Sequence, residues 1–259
     1  MKVTAFIGGG RRKKFTHNAT EQFLQKLQSL GNIEYEIIFL SDYHLETCLG
    51  DKTCFERGEE FCPFKDDRDL LIGKIIDSDG IIFACPNYSF NVPARMKIFL
   101  DRLGYVFHRP QFFGKTFTGI VVQGIYGGDK IVEYFNFIGM GLGFNVVKGF
   151  CLTSVEPITE KCQMEIDRKI DIQSKRFYSE LIKNQYPSPT FVKLMIFRMA
   201  RTSMRLMLNE KNMDYKYYNK NGWFQSDYYY PVRLNPFKKA AGRVFDLISA
   251  RNSKSNRVF

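Results

Sequence analysis

Residues 8–20 read GGGRRKKFTHNAT and follow directly on an apolar run, Val3–Ile7. Glycines at 8, 9 and 10 let the backbone come close to a ligand, and the helical pattern that follows offers N–H groups and the positive end of a helix dipole. Arg11, Arg12, Lys13 and Lys14 add cationic charge, while Thr16, Asn18 and Thr20 add hydroxyl and amide donors. This is the chemistry of an anion site. Lys13 breaks the G-x-G-x-x-G dinucleotide pattern and no G-K-[ST] follows, so a monophosphate ester fits better than a pyrophosphate or triphosphate. The alternative is a solvated basic turn after an edge strand.

Two further loops carry usable groups. In CPNYSFNVPARMKIFLDRLGY, residues 85–105, Tyr88 and Phe90 supply flat apolar faces and Asn87, Ser89 and Asn91 supply hydrogen bonds. Pro86 and Pro93 stiffen the segment. Such a loop suits an aromatic ring with polar edges, although aromatics in loops also serve plain packing. In QGIYGGDK, residues 123–130, Gly124, Gly127 and Gly128 free backbone N–H groups beside a second helix start. Those donors suit a carbonyl edge or developing negative charge.

The elements between these loops decide whether they meet. Val3–Ile7, Tyr35–Leu40, Gly80–Cys85, Phe117–Gln123 and Phe144–Phe150 read as strands, separated by helices over Asn18–Leu30, Asp69–Ser78, Pro93–Gly104 and Asp129–Met140, with a closing helix over Thr159–Lys183. Runs apolar on both faces and separated by helices predict a parallel sheet covered on both sides. The expected fold class is α/β, a flavodoxin-like doubly wound five-stranded parallel sheet with a mainly helical C-terminal extension. In it, loops after strands one, three and four lie side by side at the carboxyl edge.

Charge divides the chain. Its 259 residues carry a net charge of +11. Residues 1–182 hold 23 Lys and Arg against 23 Asp and Glu, whereas 183–259 hold 15 against 4, so the whole excess lies in the last 77 residues. The linker NQYPSPT, 184–190, marks the break and predicts two domains, 1–184 and 185–259. No apolar run is long enough to span a membrane, and MKVTAFIGGG is too short for a signal peptide, so a cytoplasmic protein is expected. The scattered cysteines, Cys48, Cys54, Cys62, Cys85, Cys151 and Cys162, suit reduced thiols.

In the extension, 191–208 predicts a basic amphipathic helix with Arg198, Arg201 and Arg205 on one face. An aromatic-dense stretch containing Trp223 follows, then a helix over Phe237–Ala250 and a polar tail, RNSKSNRVF. Packing on its own domain or across a dimer is the favoured role. An anionic membrane surface is a second, and nucleic acid a third that is not expected.

Taken together, the three loop motifs resemble those of the NAD(P)H-dependent FMN reductases and the related iron–sulfur flavoproteins. The resemblance covers about residues 1–182 and is most specific in P-x-Y-x-x-x-x-P-A-x-x-K-x-F-x-D-R, which starts at Pro86. It implies FMN as cofactor and NAD(P)H as co-substrate in a homodimeric oxidoreductase. Gly9, Arg11, Thr16, Asn18, Ala19 and Thr20 would surround the phosphate. Pro86, Asn87, Tyr88, Ser89, Phe90 and Asn91 would lie along the isoalloxazine ring, and Gly124, Tyr126, Gly127 and Gly128 at its pyrimidine edge.

Hydride passes to flavin N5 in such enzymes, so no side chain is expected as general acid or base. A small-molecule acceptor (quinone, nitro or azo compound, ferric complex or free flavin) would then be reduced. A flavodoxin-type electron carrier serving a protein partner is the alternative. The iron–sulfur relatives hold their cluster near CLGDKTCFERGEEFC, residues 48–62. Here Cys48 and Cys54 are six apart with Asp51 between them, and Cys62 supplies only a third thiolate, so no iron–sulfur cluster or zinc is expected.

Overall fold

The structure is a computed structural model that describes residues 1–255; the end of the polar tail, 256–259, lies outside the described residues. The chain forms two compact units. The first comprises Met1–Leu49 and Phe64–Gln185, and the second Gly50–Pro63 together with the chain from Tyr186 onward.

In the first unit the strands are β1 (Lys2–Ile7), β2 (Glu34–Phe39), β3 (Gly80–Pro86), β4 (Thr116–Gln123), β5 (Asn145–Val146) and β6 (Phe150–Thr153). They form one parallel sheet in the order β2-β1-β3-β4-β5, with β6 also pairing to β4. This is the doubly wound order, with the winding reversing between β1 and β3. The predicted fifth strand, 144–150, is therefore broken in two. Its register against β4 steps by one residue between Phe117↔Val146 and Ile120↔Phe150. Gly149 sits at the step, and a Cβ there would stand 2.7 Å from the Gly119 carbonyl oxygen. Its N–H donates to Asn136 Oδ1 at 3.0 Å instead of to the sheet.

Alternation along β1 builds two cores. Val3, Ala5 and Ile7 face α1 (Phe15–Leu30) and α7 (Glu160–Leu181), packing in one cluster with Phe23, Leu27, Ile170 and Phe177. Phe6 turns the other way into an aromatic core. It stacks on Phe99 at 5.4 Å, and Phe83 meets Phe99, Phe117 and Phe135 edge-on. Such pairs add about 0.5–1.5 kcal/mol each beyond area burial. The remaining helices of this unit are α3 (Arg68–Ile76), α4 (Ala94–Arg102), α5 (Gly104–His108) and α6 (Gly128–Gly141). The single helix expected over 93–104 ends at Arg102, and after Leu103 the chain starts a new turn in α5.

The second unit contains α2 (Thr53–Glu56), α8 (Phe191–Met207), α9 (Met213–Lys220) and α10 (Pro236–Ser255). Side-chain caps start α8 and α9, where Thr190 accepts from Lys193 N–H and Asn212 from Asp214 and Tyr215 N–H. Trp223 packs edge-on against Tyr218 and Tyr229, and Phe197 of α8 against Tyr228 and Tyr229, so the aromatic stretch is this unit's core. Of the three arginines predicted on one face of α8, Arg205 is exposed and the other two are paired within this unit. Arg198 is buried and bonded to Asp227 and Asp246, and Arg201 to Asp246 and the Ser226 carbonyl.

Replacing Gly149 with alanine pushes a methyl into a backbone that cannot yield. It is expected to lower stability by about 1–3 kcal/mol, read as a lower urea midpoint with unchanged slope. An unaltered midpoint would contradict the close approach of Gly149 to Gly119.

Candidate active site

The carboxyl ends of β1, β3, β4 and β6 enclose a cleft of about 240 Å³. The β1 loop contributes Gly9, Arg11, Lys14, Phe15 and Thr16; the β3 loop contributes Pro86, Asn87 and Tyr88; β4 contributes Gln123 and Gly124; and the segment after β6 contributes Ser154 and Glu156. Two glycines permit the closure. A Cβ on Gly8 would stand 2.7 Å from Met96 Cβ, and one on Gly9 3.0 Å from Pro86 Cδ.

The four consecutive cations are sorted by their neighbours. Arg12 pairs with Asp42 and lies over the Phe39 ring at 4.6 Å. Lys13 adopts a left-handed conformation, φ 53°, and its N–H donates to His17 Nδ1 at 3.2 Å. Arg11 and Lys14 are left to line the cleft. Lys14 also occupies the N-cap position of α1, where its side chain has no acceptor, so no side chain caps that helix start. Backbone donors, dipole and two cations thus share one end of the cleft.

The other end is flat and amide-lined. Tyr88 and Asn91 exchange backbone hydrogen bonds across a tight turn in which Ser89 and Phe90 both take positive φ, 50° and 63°. Asn91 Oδ1 accepts from Val92 N–H, so its side chain serves the turn. Phe90 stands out from the turn, exposed, with its ring 5.2 Å from that of Tyr126. Asn87 Nδ2 donates to the Tyr126 carbonyl at 3.0 Å, but Asn87 Oδ1 is buried with no hydrogen-bond partner among the described residues. That orphaned acceptor costs stability in the isolated chain and matches a ligand N–H.

Of the residues expected around the phosphate, Gly9, Arg11 and Thr16 line the cleft. Ala19 and Thr20 do not. Because α1 starts at Phe15, not at Asn18, Ala19 falls in the core and the Thr20 hydroxyl donates to the Thr16 carbonyl within the helix. Asn18 is an exposed residue of the same helix and its N–H donates to the Lys14 carbonyl. Pro86, Asn87, Tyr88 and Gly124 line the cleft, while Ser89, Phe90, Asn91, Tyr126 and Gly127 lie in the turns beside it. Gly128 requires a correction. Its N–H donates to Gln123 Oε1 at 2.7 Å, so it is not a donor for a ligand. A Cβ there would collide with Cys151 Sγ, which makes Gly128 a packing glycine.

Gln123 itself was missed. It ties Gly128, Thr153 and the Ile125 carbonyl together, and only its place as the last residue of β4 hints at this. Ser154 and Glu156 were missed with the short β6 that precedes them. Burial pushes the Cys85 thiol far up and that of Cys151 to about 11, so both stay protonated at neutral pH.

With this geometry in place, the sequence comparison decides the family. The model for NADPH-dependent FMN reductases matches residues 1–156, ending on the last residue that lines the cleft. The chain belongs to that family. This family member is 32% identical over 159 residues to an iron–sulfur flavoprotein of Archaeoglobus fulgidus, covering 58% of this chain and 71% of that one. It is 36% identical over 102 residues to an iron–sulfur flavoprotein of Methanocaldococcus jannaschii, 39% of this chain and 51% of that one. The NAD(P)H:quinone oxidoreductase from Methanothermobacter marburgensis shares the fold with a TM-score of 0.53 and 18% identity, over 68% of this chain and 98% of that one.

Family membership makes the chain an NAD(P)H-dependent flavin oxidoreductase. The cleft fits FMN: it supplies two cations at a helix start, a glycine packed tightly against Pro86, and a buried acceptor unpaired among the described residues. The relatives' names carry an iron–sulfur cluster; among the described residues no group of three or more His, Cys, Asp or Glu side chains is placed to hold a metal ion.

Arg11→Ala is expected to weaken FMN binding about tenfold, the loss of one charge-assisted contact, whereas Arg12→Ala, whose partner is Asp42, changes it less than about twofold. Titration by flavin fluorescence quenching reads both. Equal losses would contradict the sorting of the two arginines.

Proposed function

We propose that the cleft holds FMN with its phosphate at Gly9, Arg11, Lys14 and Thr16, its ring along Pro86–Tyr88 and its pyrimidine edge toward Asn87, Gly124 and Gly127. The observation that carries this reading is the pairing, in one cleft, of a cationic helix start with the orphaned Asn87 acceptor. FMN supplies hydride acceptance from NAD(P)H and onward delivery to an acceptor. The chain's own residues bind and orient. Gln123 fixes the Gly124–Gly128 loop, the Tyr88–Asn91 turn presents Phe90, and no side chain in the cleft has to exchange a proton with substrate.

Phe90 and Tyr126 favour a flat aromatic acceptor, a quinone or nitroaromatic, over a ferric complex. Both rings are more than half exposed and stand together beside the cleft. A second recess, of about 270 Å³, is lined by Phe90, Asn91, Lys97, Lys130, Ile131 and Tyr134. The Lys97 ammonium is held by Asp101 at 2.5 Å. We assign Lys130, which has no such partner among the described residues, to the coenzyme phosphates. A homodimer in the cytoplasm is the assembly and setting we propose.

Stopped-flow mixing of the FMN-loaded chain with NADPH is expected to bleach the flavin band within the time of one turnover. Absence of bleaching, with reduction by a partner protein or dithionite intact, would favour an electron carrier instead. Lys130→Ala is expected to raise KM for NADPH several-fold with kcat and FMN affinity unchanged, the signature of lost uniform binding. An unchanged KM would remove Lys130 from the coenzyme site.

A further inference from the structure

Helix α10 has two faces with different fates. Gly242, Asp246, Ser249 and Ser253 turn to α8. Ser249 Oγ donates to the Met199 carbonyl at 2.8 Å and lies 2.9 Å from Ser203 Oγ, and a Cβ on Gly242 would meet the Arg198 guanidinium at 2.8 Å. Asp246 accepts from Arg198, Arg201 and Thr202. On the opposite side Phe237, Val244, Leu247 and Ile248 recur at helical spacing, and they are 80%, 51%, 71% and 44% exposed. Hydrophobic side chains this exposed, in one stripe, mark an interaction surface.

The charge around the stripe is of one sign. Lys239, Arg243 and Arg251 are exposed on the same helix, and its one carboxylate, Asp246, is consumed by the arginines of α8. We propose that the outer face of α10 docks on an anionic lipid surface, with Phe237, Val244, Leu247 and Ile248 entering the headgroup–acyl boundary and Lys239, Arg243 and Arg251 meeting lipid phosphates. Charge complementarity selects this occupant. A second copy of the face would set the same three cations against each other, and nucleic acid would satisfy the cations but leave Phe237 and Leu247 in water. An anionic bilayer accommodates both groups. No helix among the described residues is long and apolar enough to cross a membrane, so the contact is peripheral. This inference rests on α10 alone and is independent of the cofactor reading.

The test is sedimentation of the full chain with vesicles of phosphatidylcholine, and of phosphatidylcholine mixed with phosphatidylglycerol. Binding is expected only to the anionic vesicles, falling steeply as salt is raised. The double variant Phe237→Ser/Leu247→Ser and the double variant Lys239→Glu/Arg243→Glu are each expected to cut the partition coefficient at least about tenfold. Both change exposed side chains, so their thermal melts stay at the wild-type midpoint. No sedimentation with anionic vesicles overturns the proposal, as does binding that survives both variants. A wild-type dimer in sedimentation velocity that Phe237→Ser/Leu247→Ser dissociates overturns it too, by assigning the face to a second copy.

Discussion

The site depends on the absence of side chains where β1 and β3 leave the sheet. The two strands are neighbours, and the winding reverses between them, so the loops that follow part and open a crevice. That crevice is narrow at its base. Gly8 lies against Met96 at a distance that a methyl group would violate, and Gly9 lies against Pro86 at a distance a methyl group could occupy only if the proline ring gave way. Larger residues there would drive the β1 loop away from the β3 loop, separating Arg11 and Lys14 from Pro86, Asn87 and Tyr88. The cationic end and the flat end form one site because the β1 loop packs this closely on Met96 and Pro86.

Pairing then decides which charges remain available. In the β1 loop, Asp42 takes Arg12, while Arg11 and Lys14 stay at the cleft. In the second unit Asp246 and Asp227 neutralise Arg198 and Arg201, groups that would be costly to bury alone. The same pairing strips the acid from the outside of α10, leaving its exposed face apolar and positive. A segment that is basic by count is therefore basic on the surface in a different place from the one its helical spacing suggests.

Much of the fold was legible because its causes are local. Strands apolar on both faces, such as Gly80–Pro86, and glycine-rich turns after them signal a buried parallel sheet without knowledge of partners. What was not legible rests on distant contacts. The break in the fifth strand comes from Gly149 meeting Gly119, thirty positions away, and nothing in residues 144–150 announces it. The grouping of 50–63 with the chain from Tyr186 onward is likewise a tertiary fact. In the site, the loops were found but not the direction of each side chain. A helix start three residues earlier than expected rotated Ala19 and Thr20 into the core, and Gln123 took the Gly128 N–H that composition alone assigned to a ligand.

The claim on which the account turns is that this cleft, closed at Gly9, holds FMN. Titration of FMN into cofactor-free chain, followed by quenching of flavin fluorescence, tests it most directly. A saturating quench that Gly9→Val abolishes is predicted. Fluorescence that stays at the free-flavin level through an excess of chain, or a quench that Gly9→Val leaves intact, would contradict it.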